Sequence, residues 1–169
     1  MCDGVLISKF VWMQKLYKTL LFFLIIISVD VNSQQNKLQN YFVSEGLPNT
    51  SINDITQDKT GYLWLATDNG YSKFDGIKFI NYNRKKANCI FANNSIIYIG
   101  FNDGLVVLKN NKASFLESNA INNIQLFNGK IVLATNQGVS ELKEDYIQPL
   151  QLNTSIDFSI IYSIFNHNN

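Results

Sequence analysis

Apolar and polar residues alternate in short runs along most of this chain. Ser51 to Gln57 places Ile52 and Ile55 among polar neighbours. Tyr62 to Thr67 is aromatic and apolar throughout, the pattern of a strand buried on both faces. Asp68-Asn69-Gly70 then reads as a turn, because glycine supplies the positive φ that tight hairpins need. Tyr71 to Phe74 is a third strand, Asp75-Gly76 a hairpin signal and Ile77 to Tyr82 a fourth strand. Asp58-Lys59-Thr60-Gly61 joins the first two strands.

The pattern repeats. Gly61 to Phe74 returns 34 residues later as Ser95 to Leu108, and again as Gly129 to Leu142. Gly70, Gly104 and Gly138 fall in register, as do the large apolar Trp64, Tyr98 and Val132 and the small Ala66, Gly100 and Ala134. Fixed-period similarity signals a repeat architecture. Helical repeats of this period would need apolar spacings of three and four residues and few internal glycines, and neither holds. Four antiparallel strands per repeat describe a propeller blade. The expected fold is all-β, with about three four-stranded propeller blades and an incomplete ring. The blades are expected at about 51–83, 86–117 and 120–150, with the start of a fourth at 156–165. Residues 34–50 form a lead-in segment whose Tyr41-Phe42-Val43 is expected to be an orphan outer strand. The small residues are expected to face the adjacent blade, leaving room for the neighbouring sheet.

Residues 1–33 read differently. Lys15 and Lys18 precede an apolar run from Leu20 to Ile27, and small residues follow at Val31 and Ser33. This is the layout of a secretory signal, with cleavage after Ser33 and a true start at Met13. The run is about half of what a bilayer-spanning helix needs; the competing reading is an uncleaved signal anchor. Cys2 falls in the discarded part. Cys89 then stands alone and is expected to be a small buried hydrophobe in a strand.

Composition narrows the function classes. Hydrophobic content of 46% with 16% charged residues supports a packed core and excludes a disordered chain. Residues 34–169 carry eleven basic and eleven acidic side chains. Nucleic-acid binding leans on a basic face, so a neutral chain argues against it.

Glu45-Gly46-Leu47-Pro48-Asn49, Ile52-x-x-Ile55-x-Gln57-Asp58 and Gly61-Tyr62-Leu63-Trp64-Leu65-Ala66-Thr67-x-x-Gly70-x-x-x-Phe74-Asp75-Gly76 together resemble the two-component regulator propeller repeat. The resemblance spans about residues 41–165. It is strongest in the first blade and weaker where Tyr98 and Val132 replace the tryptophan. It implies the periplasmic, ligand-binding sensor of a bacterial histidine kinase or hybrid two-component system, of the kind common in Bacteroidetes-type bacteria. It further implies an extracytoplasmic ligand, an oligosaccharide in some relatives, a homodimeric full-length protein and membrane contact only through downstream segments. Kinase activity would lie outside this chain. A secreted propeller scaffold for adhesion or protein interaction is the alternative.

No residue is assigned a catalytic, cofactor-binding or metal-binding role, no cofactor is expected, and the ligand-binding residues are unassigned. His167 is the one histidine, so triads and most zinc sites lack their parts. Asp54, Asp58, Asp68, Asp75 and Asp103 sit at turn positions without a calcium-loop pattern. Arg84-Lys85-Lys86 reads as a solvated loop between blades. Asn49-Thr50-Ser51, Asn93-Asn94-Ser95 and Asn153-Thr154-Ser155 match the glycosylation pattern, as 23 asparagines make expected by chance, and the bacterial resemblance makes them irrelevant. If a ligand binds, fold-level analogy points to one rim, made by Asn83 to Lys86, Asp68-Asn69, Asn102-Asp103 and Asn136-Gln137.

Overall fold

A computed structural model describes residues 12–22, 39–150 and 162–163. The chain divides into two compact units, Met1–Gln39 and Asn40–Asn169. In the first, residues 12–22 are helical, and the Thr19 hydroxyl donates back to the carbonyls of Lys15 and Leu16. Among the described residues no helix is long and apolar enough to cross a membrane. The proposed cleavage point after Ser33 and the fourth-blade strand at 156–165 lie outside the described residues, apart from Tyr162 and Ser163.

The second unit holds three four-stranded antiparallel sheets, each built from four strands consecutive in sequence. Sheet one contains β1 (Ile52–Gln57), β2 (Leu63–Thr67), β3 (Gly70–Phe74) and β4 (Phe79–Asn83). Sheet two contains β5 (Ala87–Asn93), β6 (Ile96–Phe101), β7 (Gly104–Lys109) and β8 (Lys112–Glu117). Sheet three contains β9 (Ile121–Phe127), β10 (Lys130–Thr135), β11 (Gly138–Leu142) and β12 (Ile147–Pro149). These meanders are propeller blades, and the three described do not close a ring.

Turn chemistry sets the meander. Asn110 and Asn111 both take positive φ (51° and 61°), as do Asn128 and Gly129 (48° and 76°). These are the mirror-image turns whose twist suits a two-residue hairpin. Gly70 is required for a second reason besides its φ of 108°. A Cβ there would collide with the carbonyl of Tyr82 and the amide of Arg84, where β4 runs past the β2–β3 turn.

The second strand is the most buried in blades two and three and shares that place with the third strand in blade one. One core cluster joins Trp64, Ala66 and Tyr71 of blade one to Ala87, Ile90, Ile97, Ile99 and Phe101 of blade two. A second joins Cys89, Tyr98 and Leu105 of blade two to Ile121, Ile124, Ile131 and Leu133 of blade three. Ala66 and Gly100 of the small-residue column lie at these contacts. Ala66 and Ala134 are fully buried, and a Cβ on Gly100 would strike Cys89 Sγ in its own sheet and Ile121 of the next. Small side chains in the second strand therefore set how closely successive sheets stack.

Tyr41-Phe42-Val43 is not a strand, contrary to the sequence expectation. Val43–Glu45 forms a single 3-10 turn that closes at Gly46 in the left-handed conformation, φ 101°. The Glu45 carboxylate accepts the Phe42 N–H at 3.0 Å, and the Phe42 carbonyl accepts the amides of Glu45 and Leu47. Those backbone bonds are satisfied locally, so no ladder forms. Tyr41 instead packs edge-on against Phe74 and Phe79, and with Leu47 it covers the face of blade one turned away from blade two.

Candidate functional site

The first strand of every blade carries a bulge, and the bulged residue is an asparagine: Asn53, Asn88 and Asn122. A bulge re-aims its side chain out of the ladder. The Asn53 carboxamide donates to Asp68 Oδ1 at 3.0 Å in its own blade and to the Ala87 carbonyl of blade two at 2.8 Å. Asn88 does the same with Asn102 Oδ1 at 2.8 Å and the Ile121 carbonyl of blade three at 3.1 Å. Asn122 donates to Asn136 Oδ1 at 2.8 Å. One carboxamide per blade thus ties the β2–β3 turn to the blade and, in the first two cases, to the next blade. Removing Asn53 or Asn88 should take the amide donor from a carbonyl of the next blade. Asn88→Ala is expected to cost ~1–2 kcal/mol in thermal denaturation, whereas alanine at exposed Lys112 should cost under ~0.5 kcal/mol.

These bonds gather the predicted loops onto one rim. The Arg84 amide donates to the Asn69 carbonyl at 3.2 Å, and the Ser118 amide to the Asp103 carbonyl at 3.2 Å. Lys86 pairs with Asp68 at 3.2 Å and Lys85 with Asp103 at 2.8 Å. Asn119 donates to Gln137 Oε1 at 2.8 Å. The Arg84 guanidinium lies over Phe101 and Phe115, 5.3 and 4.8 Å from the ring centres. The short basic run is therefore built into the rim. The two ion pairs are solvent-facing and contribute little to stability. They leave a surface of carboxamides, carboxylates and cations that can exchange hydrogen bonds with a ligand.

The aspartates are dispersed, each with a local task. Asp54 Oδ2 accepts the Ile90 amide of blade two at 2.9 Å. Asp75 Oδ1 accepts the amides of Ile77 and Lys78, which holds its carboxyl below the usual range. Asn53 and Lys86 do the same for Asp68, and Lys85 for Asp103. Among the described residues no group of three or more metal-ligating side chains comes together. Cys89 is buried, its Sγ donates towards the Ile121 carbonyl at 3.7 Å, and burial pushes its thiol up to about 12. His167 and Asn153 lie outside the described residues.

Asp58 plays a part that the sequence reading missed. Its Oδ2 accepts the Trp64 indole N–H at 2.8 Å, while Oδ1 accepts the Thr60 hydroxyl and the amides of Thr60 and Tyr62. Partial burial works to raise its pKa, but the Thr60 and Trp64 side-chain donors and the two amides together bring it below its ordinary 3.8. A depressed folded-state pKa gives stability that is present above 3.8 and lost as pH falls through the lower folded value. Acid titration should accordingly destabilise the protein below about pH 4, and Asp58→Asn should flatten that dependence. A variant as acid-sensitive as the parent would assign the slope to other carboxylates. The signal was present in sequence as the pair Asp58 and Trp64 flanking a Thr-Gly turn.

Comparison with known proteins places this geometry. Residues 46–69 match the family model described as the two-component regulator propeller. Over 63 residues the chain is 35% identical to histidine kinase P4 of Formosa agariphila, which covers 37% of this chain and 5% of that protein. A solved extracellular domain, assigned to a hybrid two-component system of B. thetaiotaomicron, superposes with a TM-score of 0.56 at 23% identity. That match covers 66% of this chain and 20% of the other. The chain thus spans a small fraction of either relative. The matched segment is the lead-in, β1 and β2 of blade one, where the asparagine bulge and the Asp58–Trp64 bond reside. Residues 46–69 are thus similar to the two-component regulator propeller repeat, and the chain around them folds as four-stranded propeller blades.

Proposed function

We propose that this chain is the extracytoplasmic sensor propeller of a two-component histidine kinase, exported by its N-terminal signal, and that it recognises its ligand on the polar rim. The observation that carries this reading is the match at 46–69, made within a chain whose curated relative is a histidine kinase. The neutral surface and the rim of carboxamides suit a polyhydroxylated ligand, which offers many neutral donors and acceptors. An oligosaccharide is accordingly the ligand class, and the protein works by binding and relaying rather than by catalysis on this propeller.

Two experiments test it. Mass spectrometry of the exported protein should find the mature end at Gln34; residues 13–33 retained on a membrane-bound product would refute cleavage. The second compares ligand-induced phosphorylation in the full-length receptor before and after Asn102→Ala with Asp103→Ala. Loss of the response with normal export is expected. A response unchanged by these substitutions, and by in-frame deletion of 51–150, would refute the sensor reading and favour a scaffold.

A further inference from the structure

A cleft of about 670 Å³ opens between blades one and two, away from the rim. That is within the range of about 300–1,000 Å³ usual for small-molecule sites. Its first wall is aromatic. Trp64 lies nearly parallel to Tyr82 (centroids 6.4 Å, 18°), and Tyr82 stacks on Tyr71 at 4.7 Å and 13°. Trp64 and Tyr71 are buried behind it, but Tyr82 keeps 39% of its surface exposed and lines the gap. The opposite wall is apolar at its base, with Ile97, Leu108 and Ala113. A flat apolar body fits between such walls, ring against ring.

The charge in the cleft is one-sided. Lys73 Nζ sits 3.6 Å from the ring centre of Tyr62 and 5.5 Å from that of Trp64, and Lys59 also lines the space. None of the described ion pairs uses either lysine. Asp58 is the lining carboxylate, and both its oxygens are taken up by Thr60, Tyr62 and Trp64. The mouth carries carboxamides on positive-φ turns, at Asn94, Asn110 and Asn111. Lys73 is thus a cation on an aromatic shelf that has no anion of its own.

The gap between blades two and three is filled differently, although blade three again has a charged residue, the ion-paired Glu141, at the position of Lys73. Thirty-four residues on, the counterparts of Lys73 and Tyr82 are Val107 and Leu116. Both pack into the core between blades two and three. A repeat that only stacked sheets would fill the first gap in the same way. Blade one instead puts an ammonium and an exposed ring there, at the cost of closing the gap.

We propose that the cleft between blades one and two binds a small aromatic carboxylate, its ring against Tyr82 and its carboxylate on Lys73. This goes beyond the rim reading and stands without it, since no residue of the cleft belongs to the rim. Calorimetric titration of the full chain with indole-3-acetate and with the uncharged indole-3-acetamide tests it. The acid should bind about tenfold more tightly than the amide, as expected for a charge-assisted hydrogen bond. Lys73→Met should bring the two affinities together while leaving the β-sheet circular dichroism unchanged, and Tyr82→Ala should weaken both. Equal binding of acid and amide by the unaltered protein, binding of neither, or a preference that survives Lys73→Met would each overturn the proposal.

Discussion

Trp64→Ala is expected to cost ~3–5 kcal/mol in chemical denaturation, among the largest effects available to a single side chain here. Trp64 is 7% exposed and sits where the two halves of the first blade interface meet. Truncation removes its place in the core cluster shared by blades one and two, its stack with Tyr82 and part of the aromatic surface beneath Lys73. It also strips Asp58 of the indole donor, leaving that carboxylate with its local turn bonds alone. Trp64→Phe separates the contributions. It retains much of the apolar contact and loses the donor, so it should cost ~1–2 kcal/mol. If alanine were tolerated within ~1 kcal/mol, Trp64 would be a surface residue and the strand phase of blade one would be wrong.

Much of this was legible in the sequence because blades are local objects. Each of the three sheets is made of consecutive strands, so hairpin signals and the apolar run at Tyr62 to Thr67 sufficed to outline them. The 34-residue register placed Ala66 and Gly100 at the sheet contacts, because the period itself carries the neighbour's spacing, and Ala134 at the equivalent buried position. What escaped were features decided between blades or by competing local bonds. Asn53 and Asn88 are 35 residues apart, since the stretch from the bulge to the aligned second-strand residue is one longer in blade one (Asn53 to Trp64) than in blade two (Asn88 to Tyr98). Asn53 therefore falls one residue out of step, while Asn88 and Asn122 keep the 34-residue interval. Their second acceptors lie in the following blade, which no local pattern reveals. Tyr41-Phe42-Val43 misled because its aromatic and β-branched residues suit a strand. The Glu45 carboxylate and Gly46 offered the backbone a nearer solution. The rim loops were named correctly as neighbours, yet Lys85, Lys86 and Arg84 were read as mere solvated charge. Their partners Asp103, Asp68 and Phe115 stand at sequence distances that only the folded rim brings together.

The second large effect is steric. Gly100→Ala should cost ~1–3 kcal/mol, although alanine is elsewhere the mildest of substitutions. Gly100 adopts ordinary extended backbone, so no conformational strain is involved; the methyl simply has nowhere to go. It would meet Cys89 Sγ and the Ile121 side chain, both buried. The explanation makes a pairwise prediction. Cys89→Ala removes the nearer obstacle, so the double variant should recover part of the loss, with a coupling of ~0.5 kcal/mol or more. Additive losses would show that the damage arises elsewhere. Gly100→Leu should prevent stacking of blade three and lower the melting temperature further.

The stacking of successive repeats as propeller blades is the claim on which both readings of function rest, and proton NMR tests it most directly. An α-proton of Gly100 points at the γ2 methyl of Ile121, because a Cβ placed there would lie 2.9 Å from that carbon. The two residues belong to different sheets, β6 and β9. A strong nuclear Overhauser contact between the Gly100 α-protons and the Ile121 methyl, joined by one between the Asn53 carboxamide and Ala87, is the predicted result. Ile121 and Asn53 contacts confined to their own sheets would contradict it, and would make the repeats separate hairpin modules instead of the blades of a sensor.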